Sequence, residues 1–184
     1  MTRKIMTIIA LAMFCAAATG SAWAANTFEP LAPSAAAPMA DGAVGVAEYP
    51  WQAAIGDMQL WLSLSADSST LHVALRAPTA GWAAVGLGSL KMNGAFMALG
   101  YDDKGKPAVS EQTGVMFGHK ENKTAVLLKS AVAEKDGATT LEFSLPAAAY
   151  LSSGSLKMIL AYGKQDNFTS KHAKYAAVEV PFKK

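Results

Sequence analysis

Besides its carboxylates, this sequence has three histidines and a scatter of methionines that could hold a metal ion, and their surroundings decide what each could do. His72, His119 and His172 lie far apart, and none has a second histidine or an acid at the spacing of a zinc helix such as His-Glu-x-x-His. His72 alternates with Leu71 and Val73, so it shares the opposite strand face with Ala74 and Arg76, which reads as a solvent-facing position. His119 follows Gly118 and precedes the polar run Lys120-Glu121-Asn122-Lys123, again a surface setting. His172 closes another polar run, Gln165 to Lys171. Met92 sits in Gly88-Ser89-Leu90-Lys91-Met92-Asn93-Gly94, a glycine-flanked turn where no core needs filling, whereas Met97 lies inside an apolar stretch where packing is its natural use. A thioether and a neutral imidazole converging from distant loops is one way to ligate haem iron. Each residue type also has an ordinary structural use, so residue chemistry alone leaves the pairing open.

Other chemistries lack their parts. The only cysteine, Cys15, lies in the N-terminal apolar segment and follows Phe14, where a lipoprotein signal would want a small residue. Without that segment the chain has no thiol, which excludes disulfides, cysteine nucleophiles, thiolate-held metals and haem attached through Cys-x-x-Cys-His. There is no Gly-x-Ser-x-Gly elbow, P-loop or Rossmann fingerprint. Gly86-Leu87-Gly88 followed by Gly94 opens no helix and reads as a tight strand connection. The chain is therefore not expected to be an enzyme on its own.

The N-terminus accounts for the absence of a membrane anchor in this reading. Ile8 to Ala18 is an apolar run of eleven residues behind the basic Met1-Thr2-Arg3-Lys4, well short of the roughly 20 residues of a spanning helix. With the small-residue exit Ala22-Trp23-Ala24 it reads as a secretory signal peptide, residues 1–24, cleaved after Ala24 for export to the periplasm or the outside. Removing Arg3 and Lys4 takes the formal charge from +2 to zero, so nucleic-acid and anionic-membrane partners lose their support. Residues 25–46, rich in alanine and proline and without apolar periodicity, read as a loosely ordered arm, and residues 47–184 as the folded domain.

Within that domain the dominant period is two. Met58, Leu60, Leu62 and Leu64 share a face, as do Leu71, Val73 and Leu75, and again Leu141, Phe143 and Leu145. Further strands are expected over 82–86, 95–101, 124–132, 156–162 and 175–182, with turn signals at Asp67-Ser68-Ser69, Asp102 to Gly105, Lys135-Asp136-Gly137 and Ser152-Ser153-Gly154. One helical turn is plausible, at 147–151 after Pro146. Nine or ten short strands with almost no helix predict an all-β, immunoglobulin-like antiparallel sandwich, because each sheet must bury its apolar face against another layer.

The order of elements then carries a resemblance. Glu48-Tyr49-Pro50-Trp51, Leu60-Trp61, the long run from Leu71 through Pro78-Thr79-Ala80-Gly81-Trp82 to Gly88, and Met92-Asn93-Gly94-Ala95-Phe96-Met97-Ala98-Leu99-Gly100-Tyr101 resemble a DOMON domain, the type first defined in dopamine β-monooxygenase. Met158-Ile159-Leu160-Ala161-Tyr162-Gly163, then Lys171-His172 and a last strand, resemble the end of the same domain. The resemblance covers about 42–182, and its most specific parts are Thr-x-Gly-Trp-x-x-x-Gly-x-Gly and the Met-x-Gly-Ala that follows. It implies a β-sandwich binding either haem b or a sugar. In the cytochrome branch one axial ligand is a methionine in the loop after the Gly-Trp strand and the other a histidine shortly before the last strand, positions that fall on Met92 and His172. Phe96 stands where the family often has an acid, and Lys171 or Lys164 is the alternative to His172, because some related subunits use lysine. Trp82, Ala95, Phe96, Met97 and Phe117 would line the haem b pocket, and Asp166 or a loop carbonyl would steady His172. With both axial positions filled by protein, the implied role is single-electron transfer with a redox partner protein. The alternatives are a haem-free module stacking a sugar on Trp51, Trp61 and Trp82, and an accessory subunit of a larger periplasmic oxidoreductase.

Overall fold

A computed structural model describes residues 28–116, 118–151 and 153–183, so the segment read as a signal peptide, and Phe117, lie outside the described residues. The strands are β1 (Pro33–Ser34), β2 (Trp51–Ile55), β3 (Met58–Ser65), β4 (Thr70–Ala77), β5 (Ala83–Leu87), β6 (Phe96–Asp102), β7 (Pro107–Val115), β8 (Gly118–Glu121), β9 (Lys129–Lys135), β10 (Ala138–Pro146), β11 (Ser155–Tyr162) and β12 (Lys174–Pro181). They form two sheets, one ordered β1-β3-β4-β10-β9 with β2 also on β3, the other β12-β11-β5-β6-β7-β8. Every pairing between these strands is antiparallel except the short β1–β3 contact, and an isolated bridge between Leu31 and Phe182 is also parallel. The all-β antiparallel sandwich expected from the period-two pattern is what forms. No helix among the described residues is long and apolar enough to cross a membrane.

The core lies between the sheets and is built from the alternate residues the sequence marks. Leu60, Leu62 and Leu64 of β3, Leu71, Val73 and Leu75 of β4, and Leu141, Phe143 and Leu145 of β10 face Val85 and Leu87 of β5, Ala98 of β6 and Leu156, Met158 and Leu160 of β11, nearly all fully buried. Gly100 of β6 has no side chain because Leu141 and Val132 press in from the opposite layer; a Cβ there would lie 2.8 Å from Leu141 Cδ1. Residues 147–151 form a single turn closed by Tyr150 N–H donating to the Ala147 carbonyl at 2.9 Å.

Two expectations are corrected. The strand placed at 124–132 runs instead from Lys129 to Lys135, because Asp136-Gly137 turns the chain directly into β10 and fixes the register Lys135 opposite Ala138. The arm over 25–46 is not loose where it is described. Leu31 is fully buried and its N–H donates to the Pro181 carbonyl at 2.8 Å. Further on, Asp41, Gly42 and Ala43 donate three backbone N–H groups to Glu142 Oε2 at 3.2, 2.8 and 3.0 Å, while the Tyr49 hydroxyl donates to Oε1 at 2.8 Å. Apolar periodicity could not reveal this packing, because one buried carboxylate on the outer face of β10 organises it.

Candidate functional site

In a two-layer sandwich a strand should bury one face and wet the other. β5 and the first five residues of β6 bury both. The inner residues belong to the core; the outer ones, Ala84 of β5 and Ala95, Met97 and Leu99 around β6, form a second apolar cluster with Trp82, packed against Met92, Tyr101, Ile159, Ala161 and Phe168. This is an apolar patch on the outside of the second sheet. Its middle is flat because the residues there are small. Gly86 faces outward opposite Ile159 and Met97, and a Cβ on it would come within 2.4 Å of Ile159 Cγ1 and 3.4 Å of Ala95 Cβ.

Two loops border the patch. The first joins β5 to β6 and carries Met92, half-buried. It is closed by positive φ at Gly88 (85°) and Gly94 (81°), by Lys91 N–H donating to Ser89 Oγ at 3.1 Å, and by Ala95 N–H donating to the Met92 carbonyl at 3.1 Å. Met92 lies directly over Gly114 of β7, where a Cβ would sit 1.6 Å from the Met92 carbonyl oxygen and 3.2 Å from its Cγ, so any side chain there would expel the loop. The second loop joins β11 to β12. Trp82 Nε1 donates to Ser170 Oγ at 2.8 Å, Asn167 Oδ1 accepts from the N–H groups of Thr169 and Ser170 at 3.2 and 2.8 Å, and Ala173 N–H donates to the Tyr162 carbonyl at 2.7 Å. Trp82 itself lies on Gly163, whose Cβ would meet the indole nitrogen at 2.2 Å. Phe168 packs on Tyr101 of β6 with ring centroids 4.7 Å apart, which folds this loop over the patch. The loop leaves His172 exposed, its ring centroid 5.0 Å from that of Tyr175 on β12 in an edge-on arrangement.

Met92 rests on β7 and His172 on β12, four strand spacings away, or about 19 Å across the sheet at ~4.8 Å per strand. The apolar patch lies between them, so a soft sulfur and an imidazole flank one apolar surface from opposite borders. Of the residues expected at the site, Trp82, Ala95, Met97 and Met92 come together in this cluster. Phe96 does not. It points inward, pairs with Leu87 and Thr113 across the ladders and packs against Tyr150, because alternation sends it to the face opposite Ala95 and Met97. Among the described residues Asp166 makes no hydrogen bond to His172, and Lys164 and Lys171 line, with Ser170, Ala173 and Lys174, an open cleft of about 660 Å³ along the His172 loop. His72 lies on the outer face of the first sheet, where burial pushes its imidazole below the usual range.

Sequence reasoning missed Ala84, Leu99, Tyr101, Ile159, Ala161 and Phe168, and also the position of His119. The available signal was the run Ala95 to Tyr101, apolar on both alternations in a fold that should bury only one. The tryptophans separate completely. Trp51 is in the core with Nε1 donating to the Glu29 carbonyl at 2.7 Å, Trp61 lies on the outer face of the first sheet with Nε1 donating to Gln52 Oε1 at 2.9 Å, and Trp82 is on the second sheet. They form no common stacking platform.

No family model matches the sequence, and no curated protein matches it. Among solved structures it is similar to the cytochrome b domain of pyranose dehydrogenase from Coprinopsis cinerea, with a TM-score of 0.56 and 15% identity over 68% of this chain and 76% of that one. It is similar also to the cytochrome domain of Myriococcum thermophilum cellobiose dehydrogenase, with a TM-score of 0.55 and 11% identity over 72% of this chain and 81% of that one. The fold is the one seen in these two cytochrome domains. At these identities the likeness speaks for the sandwich alone, and the site has to be argued from the residues that line it.

Proposed function

We propose that this chain is a haem b-binding electron-transfer domain, exported to the periplasm or the outside, that exchanges single electrons with a redox partner protein and carries out no substrate chemistry of its own. The observation that carries this reading is the apolar outer face of β5, β6 and β11, flattened by Ala84, Gly86, Ala95 and Ala161 and flanked by Met92 and His172. A large apolar planar group would sit here in place of the Met92 and Phe168 side chains that cover this buried face, since ligand sites are lined mostly by apolar side chains. The donor types suit haem iron: a thioether and an imidazole would hold it if both loops, resting about 19 Å apart at ~4.8 Å per strand, reached in over the patch, and no thiol is present for covalent attachment outside the N-terminal segment. When bound, haem b supplies a one-electron couple.

The protein's own residues do the remaining work. Met92, held over Gly114 by the loop's glycine turns, would offer a soft sulfur, which favours the ferrous state and so would raise the potential. His172 would offer an imidazole nitrogen to that iron, carried by a loop that Trp82 anchors through Ser170. Met97, inside β6 and paired with Gly86 and Gln112, packs the surface as apolar filler. The name of each structural neighbour, a cytochrome domain of a dehydrogenase, supports a role as one module of a larger oxidoreductase system. The sugar-binding alternative loses its main support with the dispersal of Trp51, Trp61 and Trp82.

The test is a set of visible spectra and redox titrations on the haemin-loaded full chain. His172→Ala should abolish the six-coordinate low-spin spectrum, whereas Met97→Leu, a volume-conserving swap costing under about 1.5 kcal/mol, should leave the spectrum and potential unchanged. Low-spin bands that survive His172→Ala and disappear in Met97→Leu would overturn the assignment.

A further inference from the structure

The turn between β7 and β8 presents apolar side chains where a tight turn ordinarily carries polar ones. Val115 is 51% exposed and Met116 70% exposed. Met116 also holds a left-handed backbone, φ 54°, which glycine or asparagine adopts at less cost. Folding alone favours one of those residues there, which points to a use for the methionine side chain. The loop that carries Met92 is clamped to this tip. Asn93 Oδ1 accepts the Met116 N–H at 2.8 Å, Ser89 Oγ donates to the Asn93 carbonyl at 3.5 Å, and the Met92 carbonyl lies over Gly114. Leu90, 39% exposed, lies inside that Ser89–Asn93 turn. Seven large apolar side chains are exposed among the described residues, and three of them, Leu90, Val115 and Met116, thus belong to two loops that touch. The charges around them are of one sign. Lys91 follows Leu90, Lys120 lies two residues past Gly118 on β8, and Lys123 comes just after that strand; all three are exposed, and among the described residues none is in an ion pair. The one acid in these two stretches is Glu121.

We propose that Leu90, Val115 and Met116 form the docking spot for the redox partner protein, and that the partner meets them with a small apolar spot rimmed by carboxylates. An apolar centre inside a charged rim is the layout of a protein interface, and a cationic rim steers an acidic surface toward it. Three side chains make a small contact, which suits the brief encounters of electron-transfer proteins. The charges also select among occupants. A second copy meeting this surface with its own would set the same lysines against each other, and a formal net charge of only +2 gives the chain little general attraction to an anionic membrane. Docking needs no haem; that it serves electron transfer, with the partner standing beside Met92, rests on the haem reading above.

The experiment uses the full chain and two small redox proteins as probes, plastocyanin with an acidic surface and cytochrome c with a basic one. Nitrogen-15 amide spectra of the chain without haem read docking alone: at low salt plastocyanin should shift the amides of residues 89–93 and 114–116, cytochrome c should not, and added salt should reverse the shifts. Met116→Gly removes the side chain while suiting the left-handed backbone, so it should leave the urea midpoint unchanged or raised and yet weaken docking by roughly tenfold. Lys91→Gln/Lys120→Gln should slow association at low salt and flatten its salt dependence, whereas Lys164→Gln/Lys171→Gln, the same charge change on the β11–β12 loop, should do neither. With haemin bound, Met116→Gly should also slow electron exchange with plastocyanin. Unshifted amides, shifts centred elsewhere, or Met116→Gly docking as tightly as wild type would overturn the inference. So would a dimer in sedimentation, or pelleting with phosphatidylcholine–phosphatidylglycerol vesicles, that Met116→Gly abolishes, since the spot would then belong to a second copy or a membrane. Docking by a chain that takes up no haemin would keep the docking spot and remove the haem reading; haemin uptake without docking would do the reverse.

Discussion

The outer faces of the two sheets solve the same problem in opposite ways. On the first sheet, Glu142 of β10 is completely buried, and the chain's own residues 41–49 cover it with three backbone N–H groups and the Tyr49 hydroxyl. The Ser63 hydroxyl of the same face donates to the Ala36 carbonyl at 3.2 Å. That face is closed by directional bonds to a segment of fixed sequence. On the second sheet the outer face presents Ala84, Gly86, Met97, Leu99, Ile159 and Ala161, and what leans over it are the side chains of Met92 and Phe168 from two loops. Burial by hydrogen-bonded backbone specifies one partner, whereas burial by a few apolar side chains holds loosely, because it is non-directional and proportional to area. The first face is therefore structural, and the second, held by the weaker kind of cover, is the one on which the proposed haem would sit.

The comparison can be broken most strongly at Glu142. Glu142→Leu would leave the N–H groups of residues 41–43 and the Tyr49 hydroxyl without their acceptor, and at about 1–3 kcal/mol for a buried unsatisfied group the domain should lose on the order of 3 kcal/mol, read as a lower midpoint in urea unfolding. Haemin uptake by the folded fraction should be unaffected, because the two faces lie on opposite sides of the core. The next effect is on the other face. Gly86→Val would drive its side chain into Ile159 and Ala95, costing about 1–3 kcal/mol as overpacking, and should impair haemin uptake by more than that loss of stability explains, since it raises a bump on the flat surface.

A smaller effect appears in the pH dependence. Burial raises the Glu142 carboxyl above its ordinary value near 4.5. The native state thus keeps a proton that the unfolded chain has lost, so stability is fully present below the ordinary value and declines as pH rises through the raised one. Glu142→Gln should flatten that decline in urea midpoints measured between about pH 4 and pH 8; a slope unchanged by the substitution would show that another group is responsible. The smallest effect is expected at the Asp57–Lys174 pair, both exposed enough to be screened. The Lys174 ammonium holds the Asp57 carboxyl below its usual range, so any stability from Asp57 is present above the ordinary carboxylate value and lost as pH falls through the lowered one. Lys174→Ala should leave the unfolding midpoint at neutral pH within experimental error.

What the sequence revealed, and what it hid, follow from the same contrast. Strands with a clean inner alternation, such as Met58 to Leu64 and Leu71 to Leu75, were legible because one face meets the core. β7, Pro-Ala-Val-Ser-Glu-Gln-Thr-Gly-Val, was not, because its outer residues Ser110 and Gln112 and its inner residues Glu111 and Thr113 are all polar; Glu111 accepts from the N–H groups of Val126 and Leu127 at 2.6 and 3.3 Å. The missing β7 and β8 also concealed His119, which looks like a loop residue until the register sets it opposite Gly114. The turn that carries Met92 was legible from its flanking glycines, which take positive φ at Gly88 and Gly94. The inward turn of Phe96 was readable by alternation from Met97, since adjacent strand residues cannot line the same surface. The packing of residues 28–46 was not readable, because it depends on a carboxylate a hundred positions away in sequence.

The central claim is that the apolar outer face of the second sheet takes haem b between Met92 and His172. The most direct test titrates haemin into the purified full chain and records the visible spectrum oxidised and then reduced. The account predicts uptake of one haem per chain, a six-coordinate low-spin spectrum in both states, and complete extraction of the haem by acid-acetone. Protein that remains colourless through the titration, or a haem whose spectrum is unchanged in the Met92→Leu/His172→Ala double variant, would contradict it.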